Sequence, residues 1–158
     1  MRLGIIADTH GLLRPEVHVV FKAVDLILHA GDVGDEAILD ELGLLAPVTA
    51  VHGNVDGGRL RQRLPRVAEI VADGFRVVVT HGDQFGVPKP EALKAEFPTA
   101  DVIVYGHTHR PLIQDQPDFS VVLNPGSAGP KRFDLVPSVA IMETEAGIPP
   151  RARIVPLL

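Results

Sequence analysis

Short apolar runs rich in valine, isoleucine and leucine recur along the chain, and each ends in a cluster of polar residues and glycine. Runs of this length read as buried strands. They cover Arg2–Ala7, Asp25–Ala30, Pro47–Val51, Arg76–Thr80, Asp101–Tyr105 and Val121–Leu123. The clusters that stop them are Asp8-Thr9-His10-Gly11, Gly31-Asp32, His52 to Gly58, His81-Gly82-Asp83, Gly106-His107-Thr108-His109 and Asn124-Pro125-Gly126-Ser127. Helix-compatible segments lie between the early runs, at Pro15–Ala23, Asp35–Leu45, Gly57–Arg63 and Pro90–Phe97, the first of them opened by proline. Strand alternating with helix predicts an α/β fold with a parallel or mixed sheet. Val67–Ala72 and Arg76–Thr80 flank Asp73-Gly74, a hairpin signal. Pro137–Met142 and Ala152–Val155 have no helix between them, so the C-terminal part is expected to be antiparallel.

In an open α/β sheet ligands bind beyond the carboxyl ends of the strands, and the polar clusters sit at those ends, so they are expected to meet in one crevice. Asp8 with His10 and His107 with His109 are spaced i, i+2, which in extended chain sets both side chains on one face about 6.6 Å apart. Such a pair can reach one metal or two adjacent ones. With Asp32, Asn54 and His81 the inventory is two carboxylates, four imidazoles and an amide oxygen. That exceeds one tetrahedral site and suits two ions roughly 3.5–4 Å apart that share a carboxylate.

Composition narrows the chemistry further. The chain has 158 residues, enough for one domain, expected over 1–158. It contains no cysteine, which leaves imidazole, carboxylate, amide and water as metal ligands and removes any thiolate nucleophile. The formal net charge of -5 gives no indication of nucleic acid, and the short basic stretch at Arg59, Arg61, Arg63 and Arg66 does not change that. No apolar run is long enough to span a membrane and no signal-peptide pattern opens the chain, so a cytoplasmic protein is expected. Nothing in the sequence sets the oligomeric state.

The ordered set Asp8-x-His10, Gly31-Asp32, Gly53-Asn54-x-Asp56, His81-Gly82 and Gly106-His107-x-His109 resembles the calcineurin-like metallophosphoesterase superfamily, and within it the small single-domain prokaryotic phosphodiesterases. The resemblance runs from Asp8 to Ser127, and Asn124-Pro125-Gly126-Ser127 resembles a further signature of the family near the site. It implies a four-layer α/β/β/α sandwich with two mixed β-sheets. It also implies that Asp8, His10, Asp32 and His109 hold one metal while Asp32, Asn54, His81 and His107 hold the other, Asp32 bridging. The implied activity is hydrolysis of a small-molecule phosphodiester by a hydroxide bridging two divalent ions, manganese first, with iron, nickel, zinc or magnesium admitted by the same ligands. A rival reading keeps the fold and the metals without catalysis, since a retromer complex subunit that resembles the family works as a protein-interaction scaffold.

Two positions depart from the family pattern. Where many relatives carry a histidine thought to protonate the leaving oxygen, and the small prokaryotic members often a cysteine, Val55 stands here; where many have His-Gly-His, Asp83 follows Gly82. Asp83 is open to three readings: tuning a ligand, contacting a metal or repelling dianionic monoesters. His52, two residues before Asn54, is a candidate for a role near the substrate against loop packing. His29 reads as structural before it reads as a partner of Asp32, His18 as a helix-face residue, and Asp56 as a turn or supporting carboxylate. Arg110 and Arg132 could meet phosphate, with surface solvation the simpler reading.

Overall fold

The computed structural model describes residues 1–158. One sheet contains β1 (Arg2–Ile6), β2 (Leu26–His29) and β3 (Val48–Ala50), parallel to one another, with β9 (Ser138–Glu145) antiparallel to β1 and β10 (Ile148–Pro156) antiparallel to β9. The other contains β4 (Val67–Ala72), β5 (Phe75–Thr80), β6 (Val102–Val104), β7 (Leu112–Asp115) and β8 (Val121–Asn124). The orders are β10-β9-β1-β2-β3 and β4-β5-β6-β8-β7. Four helices, α1 (Pro15–Val20), α2 (Glu36–Gly43), α3 (Gly58–Arg63) and α4 (Pro90–Glu96), cover them, and a 3-10 turn spans Asp83–Phe85.

Side-chain alternation in the strands explains the layering, because successive residues face opposite sides of a sheet. In β1, Leu3 and Ile5 point into the apolar layer between the sheets, where they meet Leu28, Val77, Val79, Val102, Val104, Leu123 and Met142. Ile6 points the other way, into the layer under α1, α2 and α3 with Val17, Phe21, Leu39 and Leu60. Val78, Ile103 and Val122 face outward from the second sheet and pack on Leu93 of α4. Three apolar layers separate four structural ones, so the architecture is the α/β/β/α sandwich with two mixed sheets. The strands β5, β6 and β8 are apolar on both faces because both faces are covered.

Local chemistry sets the element ends. Asp35 caps α2 by accepting from Ala37 N, which moves the helix start one residue past the predicted boundary. The helix at Pro15 stops at Val20 instead of Ala23. The strand β10 begins at Ile148, well before Ala152; its Pro149 and Pro150 are tolerated because it is an edge strand, with a register shift between Ile148 and Arg151. No helix is long and apolar enough to cross a membrane.

Candidate metal centre

The carboxyl ends of β1, β2 and β3 in one sheet and of β5 and β6 in the other open onto a common seam. His81, just past β5, crosses it: its Nδ1 donates to Ala30 O, 2.8 Å away beyond β2. That bond fixes the ring so that Nε2 faces the seam.

Asp8 follows β1 and has no exposed surface. Its Oδ2 accepts from His107 N at 3.2 Å, while Oδ1 is buried without any hydrogen-bond partner. Around that oxygen lie His109 Nε2 at 3.5 Å, His10 Nε2 at 3.8 Å and His81 Nε2 at 3.9 Å. A buried carboxylate oxygen left without a proton or donor is costly, and three imidazole nitrogens converging on it make a cation the fitting occupant. His10 Nε2 and His109 Nε2 are themselves 3.3 Å apart.

Asp32, just past β2, divides its oxygens. Oδ1 accepts from Val55 N at 3.0 Å, and Oδ2 stands 3.1 Å from His81 Nε2 and 3.7 Å from His10 Nε2. Burial would raise its pKa, but the His81 hydrogen bond, the His81 charge and the Val55 N–H hold the carboxyl below its usual value. For His81 burial lowers the pKa, and the Asp32 bond with the charges of Asp8 and Asp32 overcomes it, raising the group to about 9. Burial pushes His10 the other way, below its usual value, against the charges of Asp8 and Asp32.

The candidate ligand atoms fall into two triples, Asp8 with His10 and His109, and Asp32 with His81 and His107, the atoms of each lying within 4.8 Å of one another. The exposed Asn54 places Oδ1 3.1 Å from His81 Nε2, beside the second triple. The rings of His81 and His107 meet edge to face at 5.1 Å. Each of these two clusters could hold a metal ion.

His52 joins neither triple; its backbone N–H bonds Pro65 O and its Nδ1 is buried without a partner. Asp83 is in neither triple and accepts from Arg66 at 3.3 Å. His18 pairs with Glu41 at 2.8 Å across α1 and α2. His29 is fully buried, and burial lowers its pKa to about 4.

Five of the seven residues have left-handed backbone: Asp8 (φ 54), His10 (φ 46), Asp32 (φ 51), His107 (φ 70) and His109 (φ 60). Each non-glycine residue there costs about 1–2 kcal/mol, so neighbouring structure must hold them. Asn124 does so for the His107 loop, donating to Gly106 O at 3.1 Å and Thr108 Oγ1 at 3.0 Å. Ser127 Oγ donates to Asp8 O, and Gly129 comes so close that a Cβ would sit 2.2 Å from Thr9 O. The sequence marked Asn124 to Ser127 as a signature; these bonds are its physical content. Asp56, read from the sequence as a turn or supporting carboxylate, accepts from Val33 N, Gly34 N and Gly53 N and ties the Asp32 loop to the Asn54 loop.

Gly53 offers a direct test of this crowding. A Cβ there would lie 2.1 Å from Asp32 Oδ1 and 2.5 Å from Asp32 N. Gly53→Ala is expected to displace the Asp32 carboxylate and weaken divalent-metal binding by about 10–100-fold, the range seen when a ligand's support is disturbed. Gly57→Ala, where a Cβ meets nothing within 4 Å, should leave binding unchanged. Calorimetric titration of the two variants checks this, and equal affinities would refute it.

The family model for the calcineurin-like phosphoesterase superfamily domain matches residues 1–147. The chain is 39% identical over 155 residues to a probable metallophosphoesterase of Methanothermobacter thermautotrophicus, covering 92% of this chain and 87% of that protein. Among solved structures, one described as a novel archaeal phosphodiesterase superposes with a TM-score of 0.79 at 25% identity, covering 98% of this chain and 100% of that one. Vps29 of Chaetomium thermophilum superposes with a TM-score of 0.82 at 19% identity over 99% and 95% of the two chains, a likeness of fold alone.

Proposed function

Because the chain belongs to the calcineurin-like phosphoesterase superfamily, we propose that residues 1–158 form one phosphodiesterase domain in which Asp8, His10, Asp32 and His109 hold one divalent ion and Asp32, Asn54, His81 and His107 hold a second. The observation that carries this reading is the position of Asp32 Oδ2, within 3.1 Å of His81 Nε2 and 3.7 Å of His10 Nε2, between the two groups of ligands. Bound there, the ions would supply Lewis acidity towards phosphoryl oxygens and lower the pKa of water at the site.

The chain's own residues do the rest. Asp8 and Asp32 are the only carboxylates in the two triples, too few to neutralise two divalent ions, so the loaded seam attracts an anion. His81 keeps Nε2 turned inward through its bond to Ala30 O. No side chain at position 55 can give a proton to a departing alkoxide: Val55 is 55% exposed and apolar. A positioned general acid typically contributes about 10²–10⁴-fold, so its absence penalises basic leaving groups most. Aryl and otherwise activated diesters are therefore the favoured substrates.

The test is a series of aryl and alkyl phosphodiesters of rising leaving-group pKa, assayed after chelation and after adding back manganese, iron, nickel, zinc or magnesium. Turnover should vanish on chelation, return with manganese among the effective ions, and fall steeply along the series. Val55→His should flatten the slope. A shallow slope in the parent that steepens in His52→Ala would make His52 the proton donor instead. Full metal occupancy without turnover of any ester would favour the binding-scaffold reading.

A further inference from the structure

His29 is a buried imidazole that neither ligand group uses, and both of its ring nitrogens are hydrogen-bonded. Gly31 N donates to Nδ1 at 3.2 Å, Nε2 lies 3.0 Å from Thr9 Oγ1, and that hydroxyl lies 2.8 Å from Val33 O. The two ends of the chain set its direction, since a backbone N–H only donates and a carbonyl only accepts. Nδ1 therefore accepts, Nε2 carries the proton and donates to Thr9 Oγ1, and the hydroxyl donates to Val33 O.

The sequence positions of these groups give the relay its meaning. Thr9 separates Asp8 from His10, while Gly31 and Val33 flank Asp32. All three enclosed residues have the left-handed backbone that needs external support. Backbone bonds already zip the two loops together, from Asp8 N to Gly31 O, His10 N to Asp32 O and Gly11 N to Val33 O. The relay adds a side-chain tie through the centre of that zip.

We propose that His29 and Thr9 are positioning residues, which hold Asp8, His10 and Asp32 in register for metal through an imidazole in the Nε2–H form and a hydroxyl that passes the bond on to Val33. This builds on the two-metal reading above. Losing the hydroxyl leaves the Nε2–H unpaired in a dry interior and leaves the Val33 carbonyl with the Gly11 N–H alone, and the cheapest relief is a shift of the loops that carry the ligands.

Two measurements test it. Nitrogen-15 NMR of the parent protein, freed of metal, should show the His29 ring as the neutral Nε2–H tautomer; the Nδ1–H tautomer would overturn the proposal whatever any variant does. Manganese titration by calorimetry should then give about 10–100-fold weaker binding for Thr9→Val, the usual scale for groups that orient ligands, with Thr9→Ser close to the parent. Thr9→Val binding as tightly as the parent, or Thr9→Ser losing as much as Thr9→Val, would show that the hydroxyl does not act. A parent that binds no manganese would overturn the two-metal reading and this proposal with it, whereas a binding parent and an unaffected Thr9→Val overturn the proposal alone. Should Thr9→Val fail to fold, the tautomer of the parent still decides.

Discussion

Replacing Asp32 by asparagine is expected to empty both metal positions at once and to reduce turnover of an aryl phosphodiester by more than about 10³-fold. Every tenfold in rate is about 1.4 kcal/mol of barrier, and a carboxylate shared by two ions, as proposed for Asp32, would carry several kcal/mol of charge stabilisation. Asparagine keeps the size of Asp32 and an oxygen for the Val55 N–H, so the backbone of the loop has little reason to move. What it loses is the second oxygen and the negative charge, at the point 3.1 Å from His81 Nε2 and 3.7 Å from His10 Nε2. Elemental analysis after reconstitution, read beside turnover, checks the result. Asp32→Asn protein that still holds two ions would show that the carboxylate is not shared, and a parent that saturates at one ion would remove the binuclear assignment altogether.

Asp56→Ala is expected to lower the stability of the metal-free protein by about 3–5 kcal/mol, the cost of removing the charged partner of a buried polar network. Asp56 is 2% exposed and its carboxylate accepts from three backbone N–H groups, at 3.1 Å from Val33, 2.9 Å from Gly34 and 2.9 Å from Gly53. Alanine leaves these donors facing a void too crowded to rearrange freely, because Gly53 already abuts Asp32. Asp56→Asn retains one acceptor and should fall between parent and alanine. Urea unfolding in the presence of chelator isolates this loss from any metal contribution. A change below about 1 kcal/mol would mean that water replaces the carboxylate at little cost.

Much of the arrangement was legible in the sequence because strands and their polar stops repeat with a simple period. The runs ending at Ala7, Ala30, Val51, Thr80 and Tyr105 correspond to β1, β2, β3, β5 and β6, and the hairpin at Asp73-Gly74 joins β4 to β5. Periodicity could not assign strands to sheets, since β1 and β5 are both short apolar runs; the two-sheet architecture was implied only by the family resemblance that the ordered motifs carry. The strand β7 escaped notice because Leu112 to Gln114 are only half-buried and lack a clear apolar stripe. At the site, residue type and spacing brought forward the histidines and carboxylates that the two triples contain. The supports were harder to see. Ser127 stood inside the marked Asn124–Ser127 stretch, but its role, like those of Thr9 and Gly129, is a bond to a backbone carbonyl that no side-chain pattern in the sequence announces.

The seam between the sheets also orders events in time. The chain segment that builds β1 to β3 carries Asp8, His10, Asp32 and Asn54, but His81, His107 and His109 arrive only with β5 and β6. His10 and His109, whose Nε2 atoms end 3.3 Å apart, are separated by 99 positions along the chain. Contacts between such distant segments form late, after the local elements and the strand pairings that bring them together. Neither half of the chain alone can assemble the full shell. Ions bound across the completed seam would stabilise these late contacts, so metal occupancy is expected to slow unfolding more than it speeds folding, which unfolding and refolding rates measured with and without chelator would check.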